Sequence, residues 1–246
     1  MKLTVLGYYG GYPWNGDGTS AYLLQSDNYN LLLDCGSDAL VTLEKVLDPL
    51  QLDAVLLSHY HHDHTADVGV LQYFWQLREG VKKESVLPIY GHTQDPLNFG
   101  ALTWPGATVG KPYSADQKLD LGPFEITFLQ THHPVAAFAV RIEEKTSHKV
   151  LVFTSDTAYF ADLVNFAKNA DLLMTDTNFY ANKEGKKWHM TSAESGLLAK
   201  QAQVQNLLLT HLPQIGNLDQ LVNEAAEKAG TNVQVMHASK LFKYTV

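Results

Sequence analysis

Apolar residues fall in short bursts along this chain, and the spacing inside each burst separates strand from helix. Residues 3–8 read as a first strand, and the glycine-rich stretch 10–18 after it must be loop. Residues 22–26 and 30–34 read as consecutive strands joined by the polar turn Asp27-Asn28, which is hairpin grammar. Over 38–46, Leu40, Leu43 and Leu47 fall on one helical stripe, with Pro49 just beyond. The apolar run 53–57 predicts a buried strand. A helix then starts within 65–68 and continues to about Leu77; its apolar side is Val70, Leu71, Phe74 and Leu77, and Gly80 stops it. Residues 86–90 form a short strand in which Pro88 points to an edge or terminal position.

From 91 to 122 the pattern is least regular, with a short helix or turns around 95–102; such segments often wall an active-site groove. Strands follow at 124–129, 136–142, 149–154, 171–175, 204–209 and 233–235, and helices at 162–167, 192–200 and 218–229. Thr191 and Glu194 stand at the offset of a capping box, and Gly230 ends the last helix. No glycine-, serine- or proline-rich linker interrupts the series, so residues 1–246 are expected to form a single domain. Each half opens on strands and then alternates strands with helices, the outline of a structural duplication.

Composition adds limits. With 246 residues and 45% apolar content the chain can bury a sizeable core, and no stretch approaches the length of a bilayer-spanning helix. The first residues are interrupted too soon for a secretory signal, and Cys35 stands alone, so no disulfide framework is expected. Both features favour a cytoplasmic protein. A net charge of −8 argues against a globally basic nucleic-acid surface, and no DNA partner is expected. Phosphate-bearing substrates are not excluded, because bound divalent ions would change the local field. Arg78 and Arg141 are the only arginines, so an arginine-rich phosphate clamp is absent. The densest basic run, Lys183, Lys186 and Lys187, reads first as a solvated loop, with substrate steering as the alternative.

The chemistry concentrates in His59-Tyr-His-His-Asp63-His64. This stretch follows the strand 53–57 directly and precedes a helix, so four histidines and an aspartate lie in a turn between two rigid elements. Imidazole and carboxylate suit zinc, iron or manganese, and the lack of nearby thiols argues against a structural zinc knot. The same arrangement recurs: Asp156 follows the strand 149–154, His211 follows 204–209, and His132-His133 occupies a strand-to-strand junction. One shared metal centre explains the recurrence better than separate buried side chains. Asp34 ends an early strand and is placed near that centre without being a ligand, a simple turn role being the alternative, with Gly36 permitting close approach of the metal loop.

These residues resemble the metallo-β-lactamase superfamily, and the likeness runs over nearly the full chain. It implies an α/β (α+β) fold, a four-layer αββα sandwich with mixed sheets and helices on both outer faces. It implies two divalent ions, zinc first, with manganese or iron as alternatives. His59, His61 and His133 would bind the first ion, and Asp63, His64 and His211 the second; Asp156 would bridge both. His133 is preferred to His132, and His62 is a bystander. Asp34 and Thr210 are candidates, by position, to orient the ligand imidazoles. The closer likeness is to the ribonuclease Z branch, through Arg141, His189-Met-Thr191 and Leu207-Leu-Leu-Thr-His211. It gives His189 a role in phosphodiester cleavage and lets Asp63 also accept a proton from the attacking water. The long arm with which transfer-RNA-processing members grip RNA is missing, which puts transfer RNA in doubt as a substrate. The expectation is a dinuclear hydrolase acting on a phosphodiester, in RNA or in a small nucleotide-like molecule, with a homodimer as the assembly. Thioester, lactone or other ester hydrolysis is the enzymatic alternative. A metal-stabilised structural or regulatory module is the non-enzymatic one.

Overall fold

The computed structural model describes residues 1–246, which divide into two compact units. The first comprises Met1–Ser114, Leu121–Pro123 and Ser239–Thr245; the second comprises Ala115–Asp120, Phe124–Ala238 and Val246. Each unit is built around a mixed β-sheet, and no helix is long and apolar enough to cross a membrane.

The first sheet takes β1 (Lys2–Tyr9), β2 (Gly18–Thr19), β3 (Ala21–Ser26), β4 (Tyr29–Cys35), β5 (Ala54–Leu56), β6 (Leu87–His92) and β7 (Thr108–Tyr113), with a last strand at Lys243–Thr245 beside β1. β1, β3 and β4 form an antiparallel meander, and β4 through β7 are parallel. Leu31–Leu33 and Ala54–Leu56 are buried throughout, as parallel strands covered on both faces require. Their C-terminal ends lie on one edge, which delivers Asp34, His59 and His92 to the same rim.

Helices α1 (Ala39–Leu43), α2 (His62–Thr65), α3 (Val68–Leu77) and α4 (Pro96–Ala101) belong to this unit. α1 is shorter than the predicted 38–46 because Asp38, at φ 62°, stays outside the helix, and residues after Leu43 loosen into turns. α2 lies inside the histidine loop, which was expected to be only a turn. In α3 the buried face is Val68, Leu71, Gln72 and Trp75, whereas Val70 and Leu77 are 53% and 71% exposed. That corrects the predicted apolar side at Val70 and Leu77, while Leu71 is buried and Phe74 packs against the core as expected. The stretch is apolar nearly all round, so periodicity cannot single out the covered stripe. β7 falls in the segment expected to be irregular; Gly110 and Pro112 disguise it, and both are tolerated because β7 is the sheet's edge.

The second sheet runs β8 (Leu119–Leu121), β9 (Phe124–Gln130), β10 (Phe138–Glu144), β11 (Val150–Phe153), β12 (Leu172–Asp176), β13 (Asn206–Thr210) and β14 (Gln234–His237). β9, β10 and β11 are antiparallel, and β11 to β14 are parallel, with Val152 beside Leu173 and Met174 beside Leu208. The parallel half again aligns its C-terminal ends, carrying Asp156, Asp176 and His211. Helices α5 (Asp162–Phe166), α6 (Ser192–Gln201) and α7 (Leu218–Ala229) connect these strands. Arg141 donates from Nη1 to the carbonyls of Phe166 and Lys168, so it caps the end of α5.

Thr191 and Glu194 form the expected capping box at the start of α6. α6 lies so close to α7 that a Cβ on Gly196 would stand 2.0 Å from the carbonyl oxygen of Ala225. Gly196→Ala is therefore expected to destabilise the protein by about 2 kcal/mol, since overpacking outweighs the roughly 1 kcal/mol that alanine gains in a helix. Thermal unfolding should show a melting temperature about 4–8 °C lower; an unchanged or higher value would contradict this packing.

Candidate metal centre

In the first unit, β5 ends at Leu56 and hands the chain to Ser58 and His59, both fully buried. Asp34, at the end of β4, organises this rim. Its Oδ1 accepts from Ser58 N at 2.7 Å, and its Oδ2 accepts from Ser58 Oγ at 2.9 Å and from His64 Nδ1 at 2.7 Å. Ser58 has given its single proton to Asp34, so it must accept from His59 Nδ1, 3.1 Å away. Both imidazoles are thereby fixed with Nδ1 protonated and Nε2 carrying the lone pair, as metal-ligating histidines are. The helical turn α2 begins after His61, so it turns Asp63 and His64 inward while His62 stays exposed. The His59 ring lies 4.9 Å from that of His61 and 4.1 Å from that of His64. Asp63 Oδ2 accepts from Gly11 N at 2.6 Å. A Cβ on Gly36 would stand 2.1 Å from Asp63 O, so glycine is what admits the loop there.

In the second unit, Asp156 and Asp176 are 1% and 0% exposed. Asp176 takes His189 Nδ1 on Oδ2 at 2.8 Å and His211 Nδ1 on Oδ1 at 3.2 Å, and Thr157 N also donates to Oδ2 at 2.9 Å. His133 Nδ1 lies 3.3 Å from the Trp188 carbonyl. These imidazoles too have Nδ1 engaged, and those of His133 and His211 aim Nε2 at Asp156 Oδ2, at 3.8 Å and 3.3 Å. Donor atoms of Asp156, Asp176, His189 and His211 all lie within 4.8 Å of one another. His132 points elsewhere, its ring stacked on Phe160 with centroids 4.1 Å apart.

His189 is only partly covered, with 22% of its side chain exposed, and its ring stacks on that of His211. Burial works against its charged form, but the charge and hydrogen bond of Asp176 outweigh burial and raise its pKa above the ordinary imidazole value. Asp34, Ser155 and His211 occupy left-handed backbone conformations, with φ of 56°, 52° and 50°. Such conformations cost about 1–3 kcal/mol each and persist where the surroundings over-determine them.

The donor spacings test whether a metal fits. Two atoms each about 2.1 Å from one ion, at a tetrahedral angle, stand roughly 3.4 Å apart. Within the second unit the pairs His211 Nε2–Asp156 Oδ2 and His133 Nε2–Asp156 Oδ2, at 3.3 and 3.8 Å, bracket that value. Within the first, His64 Nε2 and Asp63 Oδ2 are 3.6 Å apart. These spacings, between imidazole nitrogens and carboxylate oxygens, fit a shared divalent metal. Asp34 performs the orienting role expected of it. For His211 that role belongs to Asp176, which sequence reasoning left out although it follows its strand just as Asp156 does.

The sequence family described as Beta-lactamase superfamily domain matches residues 29–212. The Bacillus subtilis (strain 168) protein called probable metallo-hydrolase YhfI is 49% identical over 227 residues, 92% of each chain. A crystal structure of YhfI, described as a metallo-beta-lactamase fold protein, matches with a TM-score of 0.93 and 44% identity over 99% of this chain and 98% of that one. Ribonuclease Z of Haloarcula marismortui is 22% identical over 287 residues, 92% of this chain and 91% of that protein. The short form of human tRNase Z shares the fold, with a TM-score of 0.75 and 19% identity over 100% of this chain and 99% of that one. Strand ends loaded with histidine and aspartate in both sheets thus meet a family match over most of the chain, which belongs to the beta-lactamase superfamily and has the metallo-β-lactamase fold.

Proposed function

We propose that this metallo-hydrolase cleaves phosphodiesters with two divalent ions, zinc in first place. His59, His61 and His133 would hold one ion, Asp63, His64 and His211 the other, and Asp156 both. When bound, the ions polarise a phosphoryl oxygen and lower the pKa of water enough to supply a nucleophile at neutral pH. The observation that carries the reading is the pairing of His189 with Asp176. Asp176 holds His211 as a ligand, and the same carboxylate holds His189 with its Nδ1 protonated and its charged form favoured. An acid poised beside the metal ligands is what an alkoxide leaving group needs, and His189 donates the proton from Nε2. Asp63, steadied by Gly11 N, accepts the proton from the attacking water. Ribonuclease Z relatives at low identity support a phosphodiester, in RNA or a small nucleotide-like molecule, as the substrate.

His61→Ala and His189→Ala separate the two functions. Elemental analysis should find metal depleted in His61→Ala and retained in His189→Ala. Turnover of a dinucleoside monophosphate, whose leaving group is an alkoxide, by the metal-replete His189→Ala protein should fall about 10²–10⁴-fold. Equal metal loss in both variants, or wild-type turnover without His189, would overturn the assignment.

A further inference from the structure

The basic run at Lys183–Lys187 has no part in holding metal or moving protons, yet the segment bearing it is pinned in place. Asn178 Nδ2 donates to His211 O at 3.0 Å, Ala181 N donates to Glu224 Oε2 at 2.8 Å, and Lys187 pairs with Glu194 at 2.9 Å. Glu224 is held in turn by the hydroxyl of Ser192 at the start of α6. Phe179 sits centrally: its ring lies 5.9 Å from that of His189, and Lys183 Nζ lies 5.2 Å from its centroid.

Alongside Phe179 is an open surface groove of about 570 Å³, lined among others by Asn178, Asn182, Lys183, Glu184 and Ile215. That volume lies within the range of small-ligand sites. Ile215 is 77% exposed, so it contributes an open apolar wall rather than core. Amide side chains, an aromatic face, an apolar wall, and the Lys183 ammonium next to the Glu184 carboxylate make a mixed lining. It suits a flat heteroaromatic ring with hydrogen-bonding edges and an attached anion. Aliphatic or purely anionic ligands would use only part of it.

We propose that this groove is a nucleobase subsite. The base stacks between Phe179 and Ile215, the amides of Asn178 and Asn182 meet its edge, and Lys183 attracts the phosphate of the same nucleotide. This rests on the phosphodiesterase reading and narrows its substrate class to nucleotides. Nothing in the subsite selects transfer RNA. It needs one base, one sugar and one phosphate.

The p-nitrophenyl ester of thymidine 5′-monophosphate and methyl p-nitrophenyl phosphate share a leaving group, and only the first carries a base. With metal-loaded enzyme, KM for the thymidine ester should be about tenfold lower or better. Ile215→Asp and Lys183→Glu, both on the surface and harmless to the core, should each erase most of that preference. Equal KM values in the wild type, or a preference untouched in both variants, overturn the subsite. If neither ester is hydrolysed the phosphodiesterase reading fails, and the subsite is then judged by binding alone. Saturation-transfer NMR of thymidine 5′-monophosphate with the protein as purified should show transfer to the base protons, lost in Ile215→Asp. Absence of that transfer in the wild type overturns the subsite by itself.

Discussion

Asp156→Ala is expected to reduce bound metal to near background and to lower phosphodiester turnover by about 10³–10⁴-fold, the scale seen when a central catalytic group is lost. The side chain is buried at the end of β11, and its Oδ2 lies 3.3 Å from His211 Nε2 and 3.8 Å from His133 Nε2. Without the carboxylate, these imidazoles keep their positions but lose the negative charge that draws a cation among them. Because Asp156 is the carboxylate proposed to serve both ions, its loss is expected to have a larger effect than the loss of a ligand to one. Elemental analysis and the bis(p-nitrophenyl) phosphate assay check the two parts separately. A variant that keeps full metal and loses only turnover would move Asp156 from ligand to proton carrier.

Asp176→Asn should be nearly as damaging, although Asp176 is proposed to touch no ion. Its two oxygens accept from His189 Nδ1 and His211 Nδ1, and an asparagine can accept at only one of them. One imidazole must then flip tautomer or lose its partner. If His211 is affected, metal affinity falls by about 10–100-fold, as when the partner of a ligating histidine is removed. If His189 is affected, turnover at saturating metal falls by up to about 10⁴-fold, because the proton is on the wrong nitrogen. Titrating activity against metal distinguishes the outcomes, since added metal restores the first loss and not the second. Wild-type behaviour on both axes would leave Asp176 with a purely structural role.

Much of this arrangement was legible in the chain because a parallel strand announces its own end. The apolar runs of β5, β11 and β13 stop abruptly, and His59, Asp156 and His211 are the first ionisable side chains to follow. Asp176 ends its strand in the same way, but it carries no motif, and its partners His189 and His211 are 13 and 35 residues away. That pairing is made by tertiary structure and leaves no local trace. His132 and His133 are adjacent in an irregular junction, so no periodicity distinguishes them; Phe160 and Trp188 do so in space. The two largest departures in the fold have similar causes. α3 is apolar nearly all round, and β7 hides behind a glycine and a proline that an edge strand accommodates.

The left-handed turns at Asp34, Ser155 and His211 have a consequence beyond their energetic cost. They lie at or beside strand ends, so the direction taken by Asp34, Asp156 and His211 is written in the backbone and not in the side chain's own chemistry. Aim and identity are separate properties here. A thiolate exchanged for a carboxylate, or a carboxylate for an imidazole, would still project toward the same point while changing which ion is preferred. Metal preference in such a scaffold can be edited one side chain at a time.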